Sequence, residues 1–364
     1  MASSIVAPPS MEAVMVDQAR LEAFMGKMVG DMGAAISAAT VLLGDRLGLY
    51  KGLAREPATS QELADRTGTH ERNVREWLAS QAASGYVEYD ARAGKFFLTP
   101  EQATVLADED GPAFMAGGFE ILASTFIDEP KVAESFKTGR GMGWHEHCAC
   151  LFSGTERFFR PGYNANLVSA WIPSLEGVEM RLEDGIEVAD IGCGHGASTV
   201  LMAKAFPNSR FVGFDYHAPS IERAREAAAD AGVSGNTKFE AASARDFGGG
   251  PFGLVTIFDA LHDMGDPVGA ARHIRSKLAP EGTWMLVEPF AHDKMTENLN
   301  PVGRLFYGAS TMICTPASLS QEVGLGLGAQ AGEARLKAVT EEAGFTNFRR
   351  ASETPFNLVF EVRA

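Results

Sequence analysis

Three glycines at alternate positions, Gly192, Gly194 and Gly196, come directly after an apolar run that carries Asp190 near its end. Glycine tolerates positive φ and leaves the backbone bare, so a turn of this kind lets a cofactor lie against the main chain. A carboxylate at Asp190 would repel a nucleotide phosphate and attract an ammonium group. The pattern therefore favours S-adenosylmethionine (SAM), whose methionine part carries an ammonium group, over NAD.

Further candidate cofactor contacts follow the next two apolar runs. Asp215 ends the first run, and a carboxylate at that place in an α/β fold accepts ribose hydroxyls. SAM and NAD both contain a ribose, so Asp215 alone does not separate them, and a strand-end carboxylate that faces water is the alternative. After the second run, Ala244 and Arg245 are placed to contact an adenine ring.

His262 is the side chain best suited to proton transfer. It stands in the run FDALHDM, directly after an apolar stretch. Methyl transfer from a sulfonium needs an acceptor aligned with the methyl carbon, and a hydroxyl or amine acceptor must also lose a proton. Because a histidine titrates near neutral pH, we predict that His262 is a general base. The alternative is a histidine that caps the following helix or packs in the core.

The strands and helices that position these residues are predicted from alternating apolar runs and helical patterns. From about residue 186 it is typical of a Rossmann-like, doubly wound α/β domain, which binds ligands at the carboxyl ends of its parallel strands. The predicted strands are 186–191, 210–215, 238–241, 253–258, 283–288, 347–351 and 357–362. The predicted helices are 198–205, 220–231, 268–278 and 331–343.

The preceding segment is predicted to be a mainly α winged-helix domain. Two helices fit residues 11–53, and the second, 34–53, is apolar around most of its circumference, which indicates burial on more than one side. Residues 59–100 match a helix-turn-helix, with a capping box at Thr59 and Glu62, followed by a β-hairpin. Such a unit either binds DNA or serves packing and dimerisation.

Charge argues against nucleic acid as a partner. The chain has 47 acidic and 32 basic residues and a formal net charge of −15. The second helix of the predicted helix-turn-helix carries Arg72 and Arg75, but also Glu71 and Glu76. Because sequence-independent DNA binding needs a basic face, we favour the packing and dimerisation role.

Composition fits a globular protein of about two domains, with 364 residues, 45% of them hydrophobic. We expect no membrane contact, because no apolar run approaches the length of a bilayer span. Residues 1–9 show no secretory signal and are predicted to be a short disordered leader. The four scattered cysteines favour a reduced, cytoplasmic setting.

An acceptor pocket is predicted from two aromatic-rich segments. The first, 111–178, is a helical connector, and the second, 292–328, is an insertion that would cap the cofactor. Aromatic and Met side chains make a mostly apolar pocket, although part of the insertion is equally compatible with helix core and a flexible loop. The predicted pocket residues are Trp144, His145, His147, Phe159, Tyr163, Phe306, Tyr307 and Met312.

Two groups of residues have the side-chain types of a metal site. His145, His147, Cys148 and Cys150 offer zinc-binding atoms, but their spacing does not match a zinc finger or knuckle. The second group is a trio of His262, Asp263 and His292, which is a conceivable ligand set. Neither pattern is specific, and we predict no metal.

The run from Asp190 to Gly196 resembles motif I of class I SAM-dependent methyltransferases. Together with the FDALHDM run, the sequence Val287-Glu288-Pro289 and the predicted winged helix, it is similar to the small-molecule O-methyltransferases of plants and actinobacteria. The run LHDMGDP resembles actinobacterial members of unassigned substrate. Members of this family dimerise through the N-terminal region, so the resemblance implies a homodimer through the N-terminal helices.

The resemblance also implies roles for individual residues. The three glycines of the Asp190–Gly196 run would bound the cofactor loop, with Asp190 at the methionine part, Asp215 at the ribose, and Ala244 and Arg245 at the adenine. Asp259 would lie near the donor end of the cofactor. His262 matches the general base, and Glu288 falls where a carboxylate orients that base. Plant members usually have Trp where this chain has Met264, which puts the type of acceptor in question.

The sequence thus predicts a cytoplasmic, SAM-dependent methyltransferase of a small-molecule acceptor. Its parts are an N-terminal dimerisation domain at 1–110, the connector at 111–178 and the SAM-binding domain at 179–364. Three alternatives remain at this point: a winged-helix regulator with a SAM-sensing domain, a metal-assisted C-methyltransferase, and an NAD-dependent oxidoreductase, which Asp190 disfavours.

Overall fold

The computed structural model describes residues 16–364, so the predicted leader at 1–9 lies outside the described residues. The α-helices are α1 (Gln18–Arg46), α2 (Leu49–Leu53), α3 (Ser60–Thr67), α4 (Glu71–Ala83), α5 (Pro100–Leu106), α6 (Gly118–Thr138), α7 (Ala149–Asn166), α8 (Val178–Asp184), α9 (Ala197–Ala205), α10 (Ala218–Asp230), α11 (Pro267–Lys277), α12 (Pro301–Ala309), α13 (Thr315–Leu319) and α14 (Gly332–Glu342). The strands are β1 (Glu88–Asp90), β2 (Lys95–Phe97), β3 (Glu187–Ile191), β4 (Arg210–Asp215), β5 (Thr237–Ala241), β6 (Phe252–Phe258), β7 (Leu278–Pro289), β8 (Asn347–Glu353) and β9 (Asn357–Arg363). Short 3-10 segments cover Trp144–Glu146, Ile172–Ser174, Leu261–Asp263 and Met295–Asn298, and π-helical segments cover Leu167–Trp171 and Ser310–Cys314.

A seven-stranded sheet with the order β5-β4-β3-β6-β7-β9-β8 forms the centre of the molecule. Strands β3 to β7 are parallel, and β9 is antiparallel to both of its neighbours. Neighbouring residues of β3 and β6 point to opposite faces of the sheet and are fully buried on both. Val188 and Leu254 belong to one apolar cluster, whereas Ala189 and Val255 belong to the other. Apolar residues on both faces are expected where helices cover both sides of a parallel sheet. The predicted doubly wound α/β fold is confirmed.

The sheet order places the functional edge. β3 lies between β4 and β6, which is the switch point where the direction of strand addition reverses. A crevice opens there at the carboxyl ends of the strands. Gly192 follows β3, Asp215 ends β4 and Asp259 follows β6, so the topology gathers these three residues at one edge.

The N-terminal domain contains the predicted winged helix. Helix α3 begins with the predicted capping box, in which the Glu62 N–H donates to the Thr59 hydroxyl at 3.2 Å and the Thr59 N–H donates to the Glu62 carboxylate at 2.7 Å. β1 and β2 pair as an antiparallel hairpin. Leu63, Trp77 and Leu78 are buried between the helices of this unit.

Helix α1 differs from the prediction. The helix predicted over 34–53 is interrupted at Gly48, whose φ of +66° ends one helix and starts α2. The buried residues of α1 are Ala38, Val41, Leu42 and Gly44. The prediction that this helix is buried on more than one side is therefore wrong for the single chain. By length and composition α1 is also the one described helix that could cross a membrane, with 22% of its apolar window buried.

The cysteines are not all reduced. A disulfide joins Cys148, which directly precedes α7, to Cys150 in the first turn of that helix. Cys193 and Cys314 are free and buried. The expectation of reduced cysteines therefore does not hold for the first pair, and that pair supplies no free thiolate for the metal group considered around His145.

Candidate active site

The turn between β3 and α9 requires its three glycines. Gly192, Gly194 and Gly196 have φ values of +73°, +52° and +80°, which other residues rarely adopt. A Cβ at Gly196 would lie 3.0 Å from Ala224, whereas a Cβ at Gly194 would meet no atom within 4 Å. The bare backbone at Gly194 therefore leaves room for a ligand.

Asp190 lies behind this turn. Its carboxylate is buried and accepts hydrogen bonds from the hydroxyls of Ser198 at 2.7 Å, Thr199 at 2.6 Å and Thr256 at 3.0 Å. Burial raises its pKa, although the three hydroxyls oppose that shift. Asp190 is not among the described residues that line either cavity. It ties β3 to α9 and β6, and its contact with the ammonium group, directly or through water, stays a prediction.

A first cavity of about 480 Å³ lies over the turn and the ends of β3, β4 and β6. Asp215 lines it, and its carboxylate accepts N–H groups from Gly194 at 3.0 Å and His217 at 2.8 Å. Burial raises the pKa of Asp215. Ala244 and Arg245 line the same cavity, so the structure brings the predicted ribose and adenine contacts together.

A second cavity of about 210 Å³ adjoins the first. Both are lined by Trp144, Thr155, Phe159, Asp259 and Asp263, which therefore mark the junction. The remaining wall of the second cavity is mostly apolar, and the described residues that line it include neither Lys nor Arg. A ligand in the first cavity and a ligand in the second would therefore meet at this junction, which is the polar end of the second cavity.

His262 and Glu288 form a buried pair at the second cavity. Nδ1 of His262 lies 2.6 Å from Oε2 of Glu288 and donates to it, because a carboxylate can only accept. The other oxygen of Glu288 accepts the Leu261 N–H at 3.0 Å. Burial lowers the pKa of His262, but the charges of Glu288 and Asp263 outweigh burial and hold that pKa well above its usual range. The pair resembles a base held by an orienting carboxylate.

Asp259 is the buried carboxylate at the junction. It has a φ of +50°, and its N–H donates to the Val287 carbonyl at 2.8 Å. The Tyr163 hydroxyl donates to one oxygen at 3.2 Å and the Asn357 amide to the other at 2.8 Å. Burial, followed by the charge of Glu288, raises the pKa of Asp259 well above its usual value.

The predicted acceptor residues divide into two groups. The cavity walls contain Trp144, His145, Phe159, Tyr163 and Phe306. His147, Tyr307 and Met312 do not line either cavity. His147 is buried and donates from Nδ1 to Asp128 at 3.0 Å, and Met312 packs against the apolar cluster around Leu151. Tyr307 follows Phe306 on α12, and adjacent helical residues point in different directions.

Sequence inspection missed several wall residues. His195, inside the glycine turn, lies with Nδ1 2.9 Å from Glu156 of α7, and both line the first cavity. Its position between two cofactor glycines was a signal for His195, whereas Glu156 had none. Cys314 lines the second cavity, and Met264, the residue that departs from the plant pattern, lines the first.

The two arginines of α4 in the winged helix form ion pairs with glutamates of the same helix. Arg72 contacts Glu76 at 2.6 Å and Arg75 contacts Glu71 at 2.7 Å, each along one face of α4. These ion pairs neutralise the helix that would enter a DNA groove. The geometry therefore supports the packing role of this unit over DNA binding.

Comparisons with known proteins match two parts of the chain. Residues 182–344 match a methyltransferase domain, and residues 34–108 match an Rv2258c-like winged HTH domain. A trans-aconitate 2-methyltransferase of Streptomyces coelicolor is 39% identical over 64 residues, which are 18% of this chain. The chain spans about a fifth of the length of that curated relative (21%).

Two solved structures share the fold over nearly the whole chain. Human N-acetylserotonin methyltransferase in complex with SAM is 14% identical, with a TM-score of 0.68, and the match covers 97% of this chain and 99% of that one. NcsB1, an O-methyltransferase from neocarzinostatin biosynthesis bound to SAM and 2-hydroxy-5-methyl naphthoic acid, is 18% identical, with a TM-score of 0.58 and coverage of 90% and 96%. These likenesses show the fold. The chain therefore contains an Rv2258c-like winged helix-turn-helix domain followed by a methyltransferase domain.

Proposed function

We propose that this protein transfers a methyl group from SAM to a hydroxyl group of a small, mostly apolar acceptor. The observation that carries the proposal is the junction of the two cavities, with the His262–Glu288 pair on the acceptor side. The first cavity has the two features that SAM needs, which are bare backbone at Gly194 and a carboxylate at Asp215 that can accept the ribose hydroxyls. When bound, SAM supplies an electrophilic methyl group on a sulfonium.

The chain's own residues would hold the two reactants and move one proton. Gly194 and Asp215 hold the nucleoside, Ala244 and Arg245 flank the adenine, and Asp259 lies at the junction, held by Asn357. Holding two reactants in line removes much of the entropic barrier to displacement.

His262 would accept the hydroxyl proton at Nε2 when its ring is neutral. Because the charges of Glu288 and Asp263 raise its pKa, we expect turnover to increase with pH as the ring loses its proton. Glu288 fixes Nδ1 as the protonated nitrogen and strengthens Nε2 as a proton acceptor. The wall around this end of the cavity is apolar, including Phe119, Leu122 and Phe306, and it excludes water from the acceptor. A neutral acceptor suits this wall better than an anionic one.

The N-terminal domain would serve assembly. We infer a homodimer through α1, because this helix exposes large apolar side chains that no other part of residues 16–364 covers. These residues are Leu21, Phe24, Met25, Met28, Val29, Met32, Ile36 and Leu43.

The function is tested by incubating the purified protein with isotopically labelled SAM and a metabolite extract, followed by mass spectrometry of methylated products. Calorimetry with SAM, S-adenosylhomocysteine and NAD accompanies it. We expect both adenosyl ligands to bind and labelled products to be neutral hydroxylated compounds. Binding of NAD without SAM would instead support an oxidoreductase.

A further inference from the structure

We propose that His262, Asp263 and Cys314 bind a divalent metal ion of borderline softness, such as Zn²⁺, at the junction of the two cavities. One ligand atom of each residue lies within 4.8 Å of the other two. The proposal shares the acceptor cavity with the proposed function, and the experiments below separate the two. His292, the histidine of the trio considered from sequence, is exposed and packs its ring 5.1 Å from that of Phe290.

His262 is prepared to act as a ligand. Its Nδ1–H donates to Glu288 at 2.6 Å, and Glu288 is itself held by the Leu261 N–H. A metal ion would displace the proton that the two neighbouring carboxylates favour on Nε2, and the imidazole then presents its lone pair there. Metal-binding histidines commonly donate their second ring N–H to a carboxylate in this way, because the contact fixes the ring and its tautomer.

Asp263 faces that lone pair. Its Oδ1 lies 3.3 Å from Nε2 of His262, is buried, and makes no hydrogen bond within the described residues. A proton on Nε2 pairs these two atoms in the metal-free protein, and a cation between them can take the place of that proton. Two ligands that are each about 2.1 Å from a tetrahedral cation lie roughly 3.4 Å apart, which matches the observed separation.

Cys314 supplies the third donor. It ends the π-helical segment Ser310–Cys314, is free and buried, and lines the second cavity with His262 and Asp263. Nitrogen, oxygen and sulfur donors together suit Zn²⁺, and binding would displace the thiol proton. Glu288 adds negative charge nearby, and no described Lys or Arg lines this cavity. The cluster therefore favours a cation.

Three protein ligands leave a fourth position open towards the acceptor cavity. An open position is typical of catalytic zinc sites, where the ion acts as a Lewis acid and lowers the pKa of a bound oxygen. A bound ion occupies Nε2, so in the loaded protein His262 holds the metal, and the proton-accepting role belongs to the metal-free protein.

The test combines metal analysis with cobalt spectroscopy on the full-length, tag-free protein. We expect one equivalent of metal per chain by mass spectrometry. After replacement by Co²⁺, we expect a thiolate-to-cobalt charge-transfer band. Cys314→Ser should remove that band, Asp263→Asn should weaken Co²⁺ binding, and Glu288→Gln should weaken it about 10- to 100-fold through His262. His292→Ala is the matched control and should bind Co²⁺ like the wild type.

Two results would overturn the metal site: sub-stoichiometric metal with no cobalt band in the wild type, or a band that survives Cys314→Ser. Calorimetry with SAM on the same samples separates this proposal from the proposed function. SAM binding and chelator-resistant turnover without metal would reject the metal site alone. A cobalt band without SAM binding would reject the proposed function alone.

Discussion

His262 has an ionisable neighbour on each side of its ring, Glu288 at Nδ1 and Asp263 at Nε2. This arrangement makes one residue the centre of the proposed chemistry, whether Nε2 holds a proton or a metal. Asp190, by contrast, is a structural carboxylate with three hydroxyl donors. The two residues show that an ionisable side chain near a cofactor turn acquires its role from its contacts.

The first prediction concerns His262→Ala. Turnover of labelled SAM should fall by about 10²- to 10⁴-fold, because the acceptor loses the side chain that takes its proton or holds the ion that activates it. SAM affinity, measured by calorimetry, should stay near the wild-type value, since His262 lines only the second of the two described cavities. His273→Ala is a suitable control, because its Nε2 contacts the Phe247 carbonyl away from both cavities. Wild-type turnover by His262→Ala would sink the assignment.

The second prediction concerns Asp215→Asn. Replacing a charged acceptor by a neutral one should weaken SAM binding by about 1.5–3 kcal/mol, which is roughly 10- to 150-fold. The loss should appear equally with S-adenosylhomocysteine, which has the same ribose. Asp230→Asn, at the exposed end of α10, removes the same charge and should leave affinity unchanged. Equal affinity in both variants would place the ribose elsewhere.

At the scale of elements, α1 carries a stripe of exposed apolar residues. Met25, Val29, Met32 and Ile36 follow one another at helical spacing and are 58% to 69% exposed. Asp31 of the same helix lies off this stripe and pairs with Arg304 of α12 at 3.0 Å. The helix thus contacts the SAM-binding domain of its own chain, while the described residues leave the apolar stripe uncovered.

The third prediction is that Met25→Glu combined with Val29→Glu yields a monomer by light scattering, whereas the wild type is a dimer. Charge placed in an apolar interface must be desolvated without a partner, which disfavours association. Arg20→Glu, on an exposed polar position of the same helix, should remain dimeric. If the wild type is instead monomeric and binds lipid vesicles through this stripe, the partner of α1 is a membrane surface.

At the scale of the whole molecule, Arg157 of α7 joins the N-terminal domain to the connector that lines the active site. Its guanidinium contacts Asp45 at 2.7 Å, Glu109 at 3.0 Å and Glu120 at 3.2 Å. These carboxylates belong to the end of α1, the segment after α5 and helix α6. The network raises the pKa of Arg157, chiefly through its hydrogen bond with Asp45. It therefore fixes the N-terminal domain against the wall of the active site.

The fourth prediction is that Arg157→Ala lowers the free energy of unfolding by about 3 kcal/mol in urea denaturation, because it leaves the buried Asp45 carboxylate unpaired. Arg72→Ala removes an exposed pair with Glu76 and should cost at most about 1 kcal/mol. Equal effects of the two substitutions would show that the network does not couple the domains.

The sequence by itself determined the local backbone. The glycine spacing at Gly192–Gly196 predicted a turn that needs positive φ, the capping box at Thr59 predicted the start of α3, and apolar periodicity predicted the strands of the sheet. β7 begins at Leu278 rather than at the predicted residue 283, because a register shift lets its first residue pair with Phe252. These features depend on residues close together in the chain, so their pattern is visible in the sequence.

Only the tertiary structure decided which distant residues meet. It placed Ser198, Thr199 and Thr256 around Asp190, turned His147 onto Asp128, and brought Cys314 rather than His292 to His262 and Asp263. Each of these contacts depends on how helices and strands pack against one another. Packing is set by the fit of whole surfaces, which local periodicity and residue type do not encode.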